Sequence, residues 1–467
     1  MKQEKQQLLK QHRRKKRVLL GCLLLATLML GALVSWWLIL ALPLAAWMAH
    51  EAWFSDHLFY RAKSNYDYHF DAARETELAI CQGKLLAHEP EVGDADTWII
   101  EFHVKGSWLS HFIDPYLKIS GERFDFEHGV DGRRFVSLSP RGEHSLSAGL
   151  PLETRHCRII GNPRLHAFNN PPYAEKRVLI IAPHADDAEL AAFGLYRQAP
   201  EAMIVTLTQG EIEAEDYERH GLDKTQAGIL KGRLRTWDSM AIPLWGNVPQ
   251  ANCVQLGYYC MQLKAMHDNP EQSHGSKLTG HSDTREARLW NQRALPSDLD
   301  GAPTWKNLVS DLVTLLETFQ PEVVVTPHPR IDPHPDHQAA TQALDAALEQ
   351  SSHRPMALLC YANHLHDNDR WPMGPAGEGI GLPPSFDSTS TATFWSFPIP
   401  PEVQRDKAMA LAMQHDLQTP LPWKKRLRRH LQYWLAGRTW PQTGDSEFFR
   451  KAVRSTELFH IRKLTSQ

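Results

Sequence analysis

One arrangement constrains this 467-residue chain more than any other. A short apolar run leads into a turn carrying acids and a histidine, and a helix starts straight after it. Arg177-Val178-Leu179-Ile180-Ile181-Ala182 is rich in β-branched residues and reads as a strand buried on both faces of a parallel sheet. Pro183-His184-Ala185-Asp186-Asp187-Ala188-Glu189 follows, and residues 189–196 read as the start of a helix. One histidine and two adjacent aspartates therefore fall at the carboxyl end of a strand, where open α/β sheets collect their ligands.

The same rhythm recurs downstream. Residues 202–207, 321–326 and 356–361 read as further buried strands, and 227–241, 308–319 and 338–349 as helices between them. This alternation predicts a Rossmann-like parallel sheet with helices on both faces. Residues 250–303 interrupt it as a long, irregular, polar insertion. There is no G-x-G-x-x-G, Walker loop, G-x-S-x-G elbow or H-E-x-x-H. A second cluster follows the strand ending at Thr326: Pro327-His328-Pro329-Arg330-Ile331-Asp332-Pro333-His334-Pro335-Asp336-His337. Parallel strands bring two such strand ends to one edge of the sheet. Histidine with carboxylate suits Zn²⁺ or another divalent first-row metal with a position left open. The six cysteines are scattered with no C-x-x-C pair, which argues against a cysteine zinc cage.

On these two motifs the chain resembles the PIG-L/LmbE family of metal-dependent de-N-acetylases over residues 175–420. His184-Ala185-Asp186-Asp187-Ala188-Glu189 stands where the family has His-Pro-Asp-Asp-x-Glu, and His334-Pro335-Asp336-His337 matches its later motif. Thr208-Gln209-Gly210-Glu211 resembles a further family loop. The resemblance implies a metal held by His184, Asp187 and His337, with Asp186 as general base toward the attacking water. It implies that His334 polarises the oxyanion and protonates the leaving amine, oriented by Asp336. Arg235 stands near a substrate-binding arginine of the family. Ala185 departs from the family's proline and gives up loop stiffness but no ligand. Glu189 would support the helix start or a metal ligand, and His328 a turn beside two prolines.

The flanks read differently. Residues 1–17 hold eight basic residues, and residues 18–48 carry no charge. A run beyond about 18 apolar residues is a membrane-span candidate, and the basic excess places its start in the cytoplasm. The expected organisation is a basic segment (1–17), one long transmembrane helix (18–48), a juxtamembrane connector (49–75), a small β-rich accessory domain of sandwich type (76–165), a Pro/Asn-rich linker (163–172), the catalytic region (175–420) and a basic amphipathic tail (421–467). A single span puts the catalytic region across the inner membrane, on the periplasmic side. A re-entrant hairpin would keep it on the cytoplasmic side.

Net charge of −3 gives no electrostatic footprint for nucleic acid. The resemblance and the anchor together lead to the expected function: zinc-dependent removal of acetyl from an N-acetylated amino sugar. The expected acceptor is a glycan or glycolipid, lipid-linked or of the cell envelope, such as a lipopolysaccharide core. A deacylase of a small thiol or antibiotic glycoconjugate would use the same site. An envelope glycan-binding or assembly protein with a purely structural metal would have no use for the free base Asp186.

Overall fold

The computed structural model describes residues 2–55 (2–9 by backbone only), 61–87, 95–138, 146, 148–365, 368, 370–386 and 391–464. Residues 56–60 of the expected connector lie outside them. The chain opens with α1 (Lys2–Leu33) and α2 (Leu38–Ala49). The single helix expected over 18–48 is therefore two. The chain turns at residues 34–37, and Lys16 Nζ on α1 lies 3.2 Å from His50 Nε2 at the end of α2. The arms run antiparallel, closely enough that a methyl group at Gly31 would collide with the Ile39 side chain. An uncharged run of 31 residues would make one helix about 46 Å long, well beyond a hydrocarbon core of about 30 Å. Folding it back shortens it.

Strands β1 (His69–Phe70), β2 (Arg74–Cys81), β3 (Lys84–Ala87), β4 (Thr97–Gly106), β5 (Tyr116–Ile119), β6 (Glu122–Asp125), β7 (Asp131–Leu138), β8 (Leu150–Arg155) and β9 (Cys157–Phe168) follow. All but β1 form one antiparallel sheet. It is a single continuous sheet, where two separate layers of a sandwich were expected. Inward residues from its two halves, among them Ile100, Phe102 and Val136 from one and Leu85, Leu117 and Leu152 from the other, share one apolar cluster. The linker expected from residue 163 is instead the second half of β9. Pro163 is tolerated because the β4–β9 register shifts beside it, and a proline can sit at such an irregularity.

The rest builds the sheet that carries the motifs. Its elements are β10 (Val178–Ala182), α3 (Asp187–Gln198), β11 (Ala202–Thr208), α4 (Lys224–Ala241), β12 (Cys253–Tyr258), α5 (Leu263–Asp268), α6 (Trp305–Phe319), β13 (Val323–Pro327), α7 (Pro335–Gln350), β14 (Ala357–Tyr361), β15 (Ile380–Gly381), β16 (Thr391–Pro398), α8 (Pro401–Met413), α9 (Trp423–Ala436), α10 (Glu447–Ala452) and β17 (Thr456–Lys463). Among the described residues the strand order is β1-β16-β17-β14-β13-β10-β11-β12. The five strands from β14 to β12 are parallel. β17 runs antiparallel to both β14 and β16, so the sheet is mixed, not wholly parallel as expected.

Two other expectations change for the same reason. The segment beyond residue 420 is not only a basic tail, because its last strand, β17, lies inside the sheet. The polar insertion begins with a sheet strand, β12, whose Gln255 and Gly257 interrupt the apolar pattern. The two sheets also exchange strands. β1, from the connector, pairs with β16, and β15 pairs with β7 of the antiparallel sheet.

β10 explains why the core holds together. Val178, Ile180 and Ala182 pack with α3 and α8 on one face, while Leu179 and Ile181 pack with α6 and α7 on the other. A strand covered on both faces reads as an unbroken apolar run. The chain steps from β10 to β11 to β12 in one direction and from β13 to β14 in the other. The gap between β10 and β13 is thus a topological switch point, the place where a crevice forms at the carboxyl ends of the strands.

Candidate metal and hydrolytic site

Both motifs meet at that switch point. β10 ends at Ala182 and α3 starts at Asp187, so the turn 183–186 holds His184 and Asp186 at the sheet edge. β13 ends at Pro327. α7 then begins with His334 at its N-cap, Pro335 at its first position and Asp336 and His337 in its first turn. Proline suits that first position, since its missing N–H would have had no helical partner.

Three ligand-type atoms converge. His184 Nδ1 lies 3.1 Å from Asp187 Oδ2, His337 Nε2 lies 3.2 Å from the same oxygen, and the two nitrogens are 3.3 Å apart. Ligand atoms around an ion bound at about 2.0–2.1 Å lie roughly 3–3.5 Å from one another. The trio expected from the sequence therefore fits one divalent cation. Ligand atoms of His184, His334 and His337 also come within 4.8 Å of one another, as do those of His184, Cys260 and Asp336. We take the Asp187 trio as the primary set because its three atoms lie 3.1–3.3 Å apart and its donors are one carboxylate and two imidazoles. Asp336 Oδ1 and His334 Nδ1 are buried with no hydrogen-bond partner among the described residues.

Neighbouring groups fix each ligand. Asp187 Oδ2 accepts from the His184 backbone N–H at 2.9 Å, and its Oδ1 accepts from Asn363 Nδ2 at 2.7 Å. His337 Nδ1 faces Asp332 Oδ2 at 2.9 Å. Asp332 is fully buried and also accepts from the backbone N–H groups of His334, Asn363 and His364. A carboxylate on the far nitrogen of a ligand histidine sets its tautomer and raises its basicity. Burial opposes charge on His337, but Asp187 and Asp332 outweigh it and push it up to about 9. Burial likewise opposes charge on His184, and Cys260 with the carboxylates of Asp187 and Asp336 holds it well above the usual imidazole value. Burial would raise Asp187, yet His337 and His184 hold it well below the carboxylate range. The negative potential that protonates these rings is what a bound dication would relieve.

Three expected roles shift. Asp336 does not hydrogen-bond His334. Its Oδ2 accepts from Met261 N–H at 2.7 Å and lies 3.4 Å from His184 Nε2, so it orients a ligand histidine. At the first turn of α7 its side chain reaches across to the β10 turn and not back toward the N-cap. Arg235 is not open to substrate. It is buried on α4, donates from Nη2 to Asp186 Oδ1 at 2.9 Å, and its Nη1 pairs with Asp416 Oδ2 at 2.7 Å. Gly210 makes room for it, since a methyl group there would strike the guanidinium. His334 is held toward the neutral form. Burial, followed by the neighbouring His184 and His337, pulls it down to about 4.

The remaining residues behave more nearly as expected. Asp186 reaches the site edge with Oδ1 engaged by Arg235, and no hydrogen bond from the described residues reaches its Oδ2. The Ala185 carbonyl accepts from Gln414 Nε2 at 3.0 Å, which restrains the loop where the family's proline is missing. Glu189 is buried and tied to Tyr196 and Gln414, and burial raises it to about 8. His328 Nδ1 accepts from Arg330 and Ile331 N–H and closes the turn. His281 pairs with Glu286 on the insertion, and the residues that metal-type clustering brings together do not include it.

The sequence reading missed Asp332, Asn363, His364 and Cys260. A usable signal existed for two of them. Asn363-His364 follows β14 directly, at the same sheet edge as both motifs, and the His364 ring stacks on His334 at 5.3 Å.

An open α/β sheet thus carries, at its switch point, a histidine–carboxylate cluster that could hold a metal ion, beside a carboxylate anchored by arginine. Residues 179–348 match the model of the PIG-L family, described as GlcNAc-PI de-N-acetylase. That stretch holds all the expected site residues and ends before Asn363. No curated protein matches the chain. Solved structures that resemble it include the conserved protein TT1542 from Thermus thermophilus (17% identity, TM-score 0.28, covering 55% of this chain and 86% of that one). A deacetylase triple mutant from the teicoplanin biosynthetic pathway also matches (16% identity, TM-score 0.33, 62% and 100%). So does GalB, the 4-carboxy-2-hydroxymuconate hydratase of Pseudomonas putida (14% identity, TM-score 0.29, 62% and 98%).

Proposed function

We propose that this chain is a metal-dependent de-N-acetylase acting on an N-acetylated amino sugar. One observation carries the reading: His184, Asp187 and His337 converge at cation spacing beside Asp186, a carboxylate that Arg235 positions with one oxygen uncommitted. The family match supplies the de-N-acetylase class. A divalent ion held by the three residues, Zn²⁺ or another first-row metal, would polarise the acetamide carbonyl and lower the pKa of water toward ~7.

The chain's own residues do the rest. Asp186 Oδ2 takes the proton of the attacking water, a role worth typically about 10²–10⁴-fold. Arg235 holds Asp186 in place and aims its free oxygen. The proton that Asp186 takes from the water is the one the departing amine needs; His334 receives it and delivers it to the nitrogen as the C–N bond breaks, so that both residues end as they began. Asp332, Asn363 and Asp336 hold the ligands in register. A structural metal alone would need none of the Arg235–Asp186 arrangement.

The acceptor we propose is a lipid-linked or cell-envelope glycan, such as a lipopolysaccharide core. In support, one helix among the described residues, Lys10–Leu33, is long and apolar enough to cross a membrane. A cavity of about 480 Å³ extends from Ser55, beside the helical hairpin, to Asp416, the partner of Arg235. The test is acetate release from a panel of N-acetylhexosamine glycosides and glycolipids by purified, metal-loaded protein. Acetate should appear, stop on chelation and return with metal. No acetate from any member at full metal occupancy would overturn the reading.

A further inference from the structure

We infer that residues 17–50 enter the bilayer as a helical hairpin, so that both chain ends and the catalytic sheet lie on one face of the membrane. The arms fit this. Residues 17–33 and 38–50 are about 25 and 20 Å long as helix, and the Lys16–His50 contact brings their outer ends level. Val18, Leu19, Leu24, Leu25, Leu33 and Leu40 are all exposed, which only an apolar surround accommodates. At the tip, Val34 and Ser35 N–H donate to Leu30 O, and Leu38 N–H to Ser35 O, so these backbone groups need no water. Trp36 and Trp37 are exposed there.

A second, independent observation marks where the bilayer surface lies. α9 packs beside the base of the hairpin. Arg428 Nε pairs with Glu51 Oε2 at 2.6 Å, and Trp53 Nε1 donates to Leu435 O at 3.2 Å. Next to this joint, Trp434 and Trp423 on α9 are exposed, as is Trp108, whose ring meets Phe112 beside Trp53. Exposed basic side chains flank the joint on both helices: Arg13, Arg14, Lys15 and Lys16 on α1, ending at the Lys16–His50 contact, and Lys424, Lys425 and Arg426 on α9, just before Arg428. Aromatic rings interleaved with lysine and arginine suit the headgroup zone of an anionic leaflet. A single span would carry α9 and its basic residues to the face opposite the basic N-terminus, and would have to break the Lys16–His50 and Gly31–Ile39 contacts.

The test is relative sidedness, which needs neither activity nor substrate. The full chain carries an N-terminal epitope tag and keeps Cys81, which is exposed on the antiparallel sheet; Cys22→Ser and Cys157→Ser remove the other accessible thiols. Membrane vesicles of both orientations are treated with a membrane-impermeant maleimide and with an external protease. Labelling of Cys81 and removal of the tag should occur in the same vesicle population, with the protein resisting carbonate extraction. Labelling of Cys81 in the opposite population, or release by carbonate, would overturn the hairpin. Because the readout is independent of hydrolysis, its failure would leave the proposed function standing, and the reverse also holds.

Discussion

Two buried carboxylates meet α3 in very different circumstances. Asp187, at its first residue, faces two imidazole nitrogens and has one amide and one backbone donor. Glu457, from β17, meets the middle of the helix, where Ala192 leaves helical geometry. There the Gly194 and Leu195 N–H groups and the Lys407 ammonium saturate it at 2.8–3.0 Å. Glu457 has its cation and its donors within the chain. Asp187 instead shares one oxygen between two imidazole nitrogens at spacings that fit a single cation. A carboxylate paired with an ammonium and backbone donors is structural, whereas one on which two imidazoles converge is placed for a ligand.

Substitutions at the two ends should therefore fail in different ways. Asp187→Ala should abolish stoichiometric metal binding and lower acetate release by at least about 10³-fold, with the fold retained by circular dichroism. Glu457→Ala should do the opposite. It strands the buried Lys407 ammonium and costs about 3–5 kcal/mol in denaturant unfolding, while metal stoichiometry per folded molecule stays the same. If Glu457→Ala lost metal without losing stability, the comparison would break.

Arg235 sharpens the contrast at the base. Because it holds Asp186, Arg235→Gln should lower kcat about 10–100-fold with little change in KM. A rise in KM at constant kcat would restore the substrate-binding role read from the sequence.

The smallest effect lies away from the site. Burial, with Arg330 beside it, pulls His460 down to about 4, and burial, with His460 next, takes His328 to about 3. Unfolded imidazoles bind protons near pH 6.5, whereas these remain neutral in the fold until lower pH. Their contribution to stability is therefore complete above pH 6.5 and is lost as pH falls through about 4. His460→Phe should remove one such proton and flatten the acid limb of a pH–stability curve by about 1.4 kcal/mol per pH unit between pH 6.5 and 4. An unchanged slope would mean that His460 is solvated in the folded protein.

The two motifs were legible because ligand chemistry restricts residue type and because each follows an unmistakable apolar strand. What lay beyond them depended on direction and distance, which spacing does not encode. Asp336 sits one residue before His337 but serves His184, and Arg235 reaches back 49 positions to Asp186. Asp332 resembled one more polar residue in a proline-rich turn. In the sheets, the parallel centre followed from continuous apolar runs. β12 and β17 were hidden by Gln255 and Gly257 in one and by Glu457, His460 and Arg462 in the other. The hairpin was not readable as such, because an uncharged run gives its length but not the point at which it turns.

The most direct test of the central claim is Asp186→Asn, with bound metal and acetate release measured on the same preparation. Metal content should equal that of the parent protein, because Asp186 lies outside the trio, and turnover should fall by about 10²–10⁴-fold. Undiminished acetate release at full metal occupancy would contradict the assignment of Asp186 as the base, and loss of the metal would contradict the ligand set.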